Sequence, residues 1–235
     1  AHKVGVDPKD IFVISIMPCI AKKFESQRPE LAGEYADVDA VLTTRELARM
    51  IKTAGIDFVR LAEENFDDPM AEATGGAAIF GTSGGVLEAA LRSAYFYLTG
   101  RDMEQVEFTS VRGMSGVREA DVTIQGVTLK VAAVSGLKNV EKFLDGIRQG
   151  NSPYHFIEVM ACPNGCINGG GQPQPSDPDK IRKRVEAIYA IDRSLPKRAS
   201  HHNESVKKLY QEFLGEPNGH KAHELLHTEY MERGV

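Results

Sequence analysis

Three cysteines, Cys19, Cys162 and Cys166, are the residues whose type and placement most directly imply chemistry. An odd number spread over 235 residues argues against a disulfide framework and for thiols kept reduced. Cys19 follows the apolar run Ile11 to Met17 across Pro18, and Cys162 follows His155 to Met160 across one alanine. Short apolar, partly β-branched runs read as strands. Ligands collect at the carboxyl ends of strands in open α/β sheets, so the two cysteines could converge. Cys166 stands four positions after Cys162 in a loop containing Pro163, Gly165 and Gly169 to Gly171. Such a backbone folds tightly and can point amide N–H groups at an anion, and amides aimed at sulfur stabilise a negatively charged iron–sulfur cluster. Three thiolates are one short of a tetrahedral zinc or a cubane, and the spacing is not that of a zinc knuckle. Three buried, unreactive thiols are the structural alternative.

Two further strings look chemical and are set aside. HELLH, His223 to His227, fits the helical zinc-protease motif, yet such a site needs a third ligand and a cleft, and eight residues follow it. GTSGG, Gly81 to Gly85, could cradle a phosphate ahead of a helix, but it lacks the lysine and hydroxyl of a P-loop.

The elements that must position the cysteines alternate. Ile11 to Met17 predicts a strand buried on both faces. Ala40 to Thr43 predicts a second strand, followed by a helix through TTRELARMIKTAG with Thr43 or Thr44 as N-cap and Gly55 at its end. Ala77 to Phe80 predicts a strand running into GTSGG and the apolar helix VLEAALRSAYFYLTG. Alternating segments extend from Val106 to Val134, with two strands joined at Gln125-Gly126 and the helix LKNVEKFLDGIRQG behind them. His155 to Met160 is a further strand, and from Asp177 onward the chain reads as polar and helical, with a break around Ser194 to Ser200. This interleaving predicts an α/β fold of mainly parallel sheets flanked by helices.

A hydrophobic content of 42% with 26% charged residues suits a globular chain with a sizeable core. The net charge of −5 supplies no basic stripe and argues against a nucleic-acid partner. No apolar run approaches the ~20 residues of a membrane span, and AHKVGVDPKD lacks an apolar signal core, which predicts a cytoplasmic protein without a membrane span. The chain opens on Ala1 and enters a strand within ten residues, so its natural N-terminus is expected upstream.

MPCIAKKFE (Met17 to Glu25) and MACPNGCINGGGQP (Met160 to Pro173) resemble the second and third cluster-binding motifs of the iron-only, or [FeFe], hydrogenases. FGTSGGVLEAALR (Phe80 to Arg92) resembles the segment between them, and the tail from Ser194 to His227 is similar to the C-terminal helices of bacterial members. The resemblance covers essentially the whole chain. It implies the C-terminal part of a two-lobed catalytic domain, with an α/β core carrying the cluster loops over 1–176 and a helical tail over 177–235.

The resemblance also implies a cofactor, the H-cluster: a [4Fe–4S] cubane joined through one cysteine to a di-iron unit bearing CO, cyanide and a bridging dithiolate. By motif position Cys19, Cys162 and Cys166 match three of the four cubane ligands, with Cys166 the bridge. Lys22 matches the lysine that donates to a cyanide, where a compact ammonium anchors an anionic ligand. Its neighbour Lys23 reads as a solvated surface lysine. Met17, Pro18, Met160 and Phe80 would line the pocket with apolar, polarisable surface, and Glu25 resembles a supporting carboxylate. Ile20 and Asn164 depart from the common Thr and Gly without removing a ligand.

The family's first motif, of the form TSCCPGW, is absent, and eighteen residues precede Cys19. A missing N-terminal segment or a partner chain must supply the fourth cysteine, so the isolated chain is expected to be incomplete. The implied activity is reversible reduction of protons to H2, with ferredoxin or NAD(P)-linked flavin and iron–sulfur subunits as electron partners. The alternatives are a non-catalytic iron–sulfur assembly protein of the Nar1 type and an H2-sensing hydrogenase-like domain.

Overall fold

The computed structural model describes residues 1, 5–31, 33–67, 70, 72–103, 108, 111–174 and 176–232. In chain order its main elements are β1 (Ile14–Met17), α1 (Ala21–Glu25), β2 (Ala40–Thr43), α2 (Thr44–Thr53), α3 (Gly75–Ala78), α4 (Gly85–Thr99), β3 (Val117–Ile124), β4 (Val127–Ser135), α5 (Leu137–Arg148), β5 (Phe156–Met160), α6 (Pro178–Ser194), α7 (Glu204–Leu209) and α8 (His220–Leu226). They form two compact units. One comprises Ala1–Met70, Gly171–Pro173 and Ser205–Val235; the other comprises Ala71–Gly170 and Gln174–Glu204.

In the first unit β1 and β2 pair in parallel, with Ile14 opposite Ala40 and Met17 opposite Thr43. The sheet has two strands. Burial of β1 on both faces is therefore corrected: Ile14 and Ile16, which share a face, are 51% and 50% exposed. A strand is buried twice only when layers cover both sides of its sheet, and no described layer covers this side. β2 passes directly into α2 through a capping box, in which the Thr43 hydroxyl accepts from the Glu46 amide and the Glu46 carboxylate accepts from the Thr43 amide. The chain leaves α2 at Gly55, whose φ of +70° is the left-handed turn that favours glycine. Near the C-terminus the Arg28 guanidinium donates to the Glu229 carbonyl at 2.8 Å and lies over the Tyr230 ring.

The second unit contains the sheet β3-β4-β5, antiparallel between β3 and β4 and parallel between β4 and β5. Gln125 and Gly126 both have positive φ, the two-residue turn whose twist suits a hairpin. Residues 131–135 of β4 are all buried, as expected for a central strand. Leu87 and Leu91 of α4 pack with Val111, Val122, Ile124, Val131 and Ala133 into one apolar cluster.

Ala77 to Phe80, predicted as a strand, instead forms the end of α3 and a 3-10 turn over Ile79–Gly81. Four apolar residues carry no decisive period, and Thr74 starts a helix by accepting from the Ala77 amide at 3.4 Å. Gly75 sits so close to α6 that a Cβ would lie 2.0 Å from the Asp192 carboxylate. The predicted beginning of the alternating region at Val106 falls outside the described residues.

A buried ionic network joins α4 to α6. Arg92 donates to both Asp192 oxygens at 2.8 and 2.9 Å and to Glu88 at 2.6 Å. Arg112 pairs with Glu88 at 2.7 Å, and Arg198 with Asp192 at 2.6 Å. Burial works to raise the Asp192 carboxyl, but hydrogen bonds from Arg92 and Arg198 overcome it and hold the group below its ordinary range. Burial, reinforced by Glu88, pushes the Tyr189 hydroxyl up to about 12. Among the described residues no helix is long and apolar enough to cross a membrane.

Candidate functional site

In the first unit Cys19 lies two residues beyond the end of β1 and is half-buried. The Pro18 carbonyl before it accepts from the Gly171 amide at 2.9 Å, and the Gly171 carbonyl accepts from the Arg45 amide. A Cβ on Gly171 would stand 2.9 Å from the Thr43 side chain and 3.0 Å from the Pro18 backbone. Only glycine permits that approach.

Beyond Cys19 the chain turns into α1, where Lys22 and Glu25, one helical turn apart, form an ion pair. Both line a cavity of about 230 Å³ together with Met17, Ser15, Asp37 and Val41. Three residues singled out in the sequence, Met17, Lys22 and Glu25, are thus brought to one cavity, whose lining does not include Cys19. Lys23 is not the solvated lysine expected of it. Its ammonium donates to the Val41 carbonyl at 2.8 Å and pairs with Glu46 at 2.9 Å, tying α1 to β2 and α2. Glu46 is correspondingly held down to about 2, first by the Thr43 amide and then by Lys23 and the Thr43 hydroxyl.

In the second unit Cys162 also lies two residues beyond its strand, β5. The Gly165 amide donates back to the Cys162 carbonyl at 3.0 Å, and the Gly169 amide to the Cys166 carbonyl at 2.8 Å. Asn164 at φ +65° and Gly165 at φ +90° turn the loop between the two thiols. Asn tolerates that conformation better than most residues. Gly165 has no room for a side chain: a Cβ would lie 2.6 Å from the Ser83 nitrogen and 2.9 Å from both the Gly81 oxygen and the Met160 sulfur. The GTSGG turn is therefore packed against the loop, an arrangement completed by the Ser83 amide donating to the Asn164 carbonyl at 3.1 Å. Phe80, preceding that turn, is 47% exposed. Cys162 is half-buried, Cys166 is exposed, and none of the three cysteines is in a disulfide.

Two buried residues hold this arrangement and escaped the sequence reading. Glu158, in the middle of β5, accepts from the amides of Gly84 and Leu87 at 2.5 and 2.8 Å. Arg118 of β3 donates to the Ser83 hydroxyl at 2.7 Å, to the carbonyls of Val111 and Gly113 at 2.8 and 3.0 Å, and to that of Ser115. An acidic residue inside the apolar run HFIEVM was the available signal for Glu158. Arg118 carried none. At the end of α8 the rings of His223 and His227 lie 4.4 Å apart, tilted at 59° to each other.

The donor set is soft: three thiols at the ends of two strands, two of them in a glycine-bearing loop. That chemistry suits iron–sulfur ligation, with one thiol, Cys19, in the first unit and two, Cys162 and Cys166, in the second. Comparison with known proteins decides the family. The sequence profile described as iron only hydrogenase large subunit, C-terminal domain, matches residues 1–170. The chain belongs to that family. The profile of the iron hydrogenase small subunit matches residues 178–233.

This family member is 45% identical over 232 residues to iron hydrogenase 1 of Clostridium pasteurianum and 46% identical over 235 residues to the NADP-reducing hydrogenase subunit HndD of Solidesulfovibrio fructosivorans, covering 96% and 99% of its own length but 40% of each relative. The periplasmic [Fe] hydrogenase large subunit of Nitratidesulfovibrio vulgaris is 50% identical over 192 residues, with 46% of its length covered. The chain thus spans less than half of these relatives. The solved [FeFe]-hydrogenase HydA1 of Chlamydomonas reinhardtii superposes with a TM-score of 0.82 at 39% identity, covering 100% of this chain and 66% of that one. A more distant similarity, 33% over 238 residues, runs to the cytosolic Fe-S cluster assembly factor narfl of Danio rerio. The expected α/β class with a helical C-terminal region is the architecture found, and beside the parallel pairs β1–β2 and β4–β5 the strands β3 and β4 pair antiparallel.

Proposed function

We propose that the chain is the C-terminal part of an [FeFe] hydrogenase catalytic domain that interconverts protons, electrons and H2. When bound, the H-cluster supplies the electron relay and the di-iron centre at which that interconversion takes place. Cys19, Cys162 and Cys166 would hold its cubane as thiolates, and Cys166 would also bridge to the di-iron unit. Lys22, paired with Glu25, would offer its ammonium to an anionic ligand of that unit. Met17, Pro18, Met160 and Phe80 supply apolar and polarisable surface that limits water near the reacting centre.

The observation that carries this reading is the joint placement of Met17, Lys22 and Glu25 on one cavity, within six residues of Cys19 in the sequence. The fourth cysteine comes from a segment or chain outside this sequence. The exposed apolar side chains of Phe12, Ile14 and Ile16, at 69%, 51% and 50%, support such a covering element, because contiguous apolar patches mark interaction surfaces. A division into a cluster-bearing core over 1–176 and a tail over 177–235 is supported by the ranges of the two family matches. An NADP-linked electron partner is supported by the likeness to HndD, an NADP-reducing hydrogenase subunit, with a ferredoxin as the alternative.

The assembly-factor reading is the competitor. The higher identity to hydrogenases, 45% against 33%, and the Met17-Lys22-Glu25 cavity favour the enzyme. The deciding experiment supplies the N-terminal motif in cis or as a partner chain, matures the di-iron unit, and records the CO and cyanide infrared bands with H2 evolution. Cys166→Ser should abolish both, and His223→Ala should leave both unchanged. Bands that persist in Cys166→Ser, or vanish in His223→Ala, would overturn the assignment.

A further inference from the structure

Among the described residues one group of three His, Cys, Asp or Glu side chains brings its ligand atoms within 4.8 Å of one another, namely Asp102, His201 and His202. All three belong to the second unit. Asp102 lies two residues past Gly100, whose left-handed conformation at φ +70° ends α4. His201 and His202 sit in the 3-10 turn Ser200–His202, downstream of α6. Asp102 Oδ1 is 2.9 Å from His201 Nε2 and 2.8 Å from His202 Nε2.

The surroundings of His201 are those of a fixed ligand. Its side chain is 2% exposed, its ring stacks on Phe96 with centroids 4.2 Å apart, and its Nδ1 is 3.2 Å from the Ser93 hydroxyl. A metal-ligating histidine characteristically donates its second ring N–H to a neighbouring acceptor, which sets the tautomer and orients the ring. With Nδ1–H given to Ser93, Nε2 turns a lone pair toward the Asp102 carboxylate and a metal can stand between the two; in the opposite tautomer Nε2–H itself donates to Asp102 and Nδ1 accepts from Ser93.

We propose that Asp102, His201 and His202 form a zinc-binding site that clips the end of α4 to the 200–202 turn. Two imidazoles and one carboxylate are a donor set that zinc favours, with a fourth position left for water. Bonds of about 2.0–2.1 Å place tetrahedral ligands about 3.3 Å apart, so the cluster must open by about half an ångström. Asp102 and His202 can provide this movement, since their side chains are 55% and 36% exposed. α4 has 15 residues and is about 22 Å long, and the cysteine-bearing loop packs on the turn before its other end. The zinc site is thus separate from Cys162 and Cys166 and does not depend on the hydrogenase reading.

The test adds Zn²⁺ alone to the purified chain and follows binding by calorimetry, with Co²⁺ as a spectroscopic substitute. The wild-type chain should bind a zinc ion that raises its thermal midpoint. His202→Ala and Asp102→Ala, both at partly exposed positions, should weaken that binding by at least about 100-fold, and Ser93→Ala by about 10–100-fold. Cobalt displaced by that zinc should show weak d–d bands without intense thiolate-to-metal charge transfer. Zinc binding of wild-type strength in both ligand variants, or a cobalt spectrum made up only of thiolate charge transfer, would reduce the cluster to a hydrogen-bonded ion pair and overturn the proposal.

Discussion

Glu158 of β5 accepts a hydrogen bond from the Leu87 amide at 2.8 Å, so a carboxylate 71 residues away in sequence caps the first turn of α4. Its other oxygen accepts from the Gly84 amide. Negative charge is favoured at a helix N-terminus, and here it also fixes the strand that runs into Cys162. Glu158→Ala should orphan two buried amides and cost about 3 kcal/mol, with Glu158→Gln milder at about 1–2 kcal/mol. Urea unfolding of the chain measures both, and an Ala variant within 0.5 kcal/mol of wild type, roughly the scatter of surface substitutions, would contradict the capping role.

Gly165→Ala should be destabilising by about 2–4 kcal/mol, because it combines a positive φ of +90° with a Cβ 2.6 Å from the Ser83 nitrogen. The movement needed to relieve the clash displaces the loop holding Cys162 and Cys166. Iron incorporation after reconstitution should fall alongside the unfolding midpoint. Gly126→Ala is the control: it also has a positive φ but meets nothing within 4 Å, so its effect should be smaller and confined to stability.

Glu46 makes part of the stability pH-dependent. Its carboxyl is lowered in the folded chain from an ordinary 4.5 to about 2, so the unfolded state binds more protons between those values. The contribution is fully present above about 4.5 and is lost as pH falls toward about 2. Glu46→Gln should therefore flatten the acid side of the stability profile in this window. Denaturant midpoints at successive pH values check the prediction, which fails if the two profiles remain parallel.

For Lys22 the expected outcome is selective. In the completed and matured protein, Lys22→Asn should retain the visible spectrum of the cubane while the CO and cyanide bands weaken and H2 evolution is lost. Glu25→Gln leaves the ammonium without its ionic partner, so it should give an intermediate loss, on the order of 10-fold. Unchanged H2 evolution in Lys22→Asn would remove the anchoring role.

Features whose determinants lie within a few residues were legible in the sequence. Thr43 with Glu46 encodes a capping box, Gln125-Gly126 a hairpin turn, and the runs ahead of Cys19 and Cys162 encode strands that deliver thiols at their ends. The distinctive strings around those cysteines carried the family. Ala77 to Phe80 failed because four apolar residues satisfy a helix as readily as a strand, and contact with Asp192 and the Thr74 cap decided it. The exposure of Ile14 and Ile16 likewise depends on which layers cover a sheet, a property that no strand contains by itself.

What only the tertiary structure decided are the partnerships of charged and polar side chains distant in sequence. Lys23 looked like any surface lysine until the Val41 carbonyl and Glu46 were seen beside it. Glu158 caps a helix 71 residues earlier, Arg92 meets Asp192 across 100 residues, and His201 meets Asp102 across 99. Hydrophobic periodicity records which face of an element is buried. It does not record which ionisable group will stand opposite another, because that depends on how folded elements pack, and the electrostatic interaction exists only at the few ångströms this packing creates.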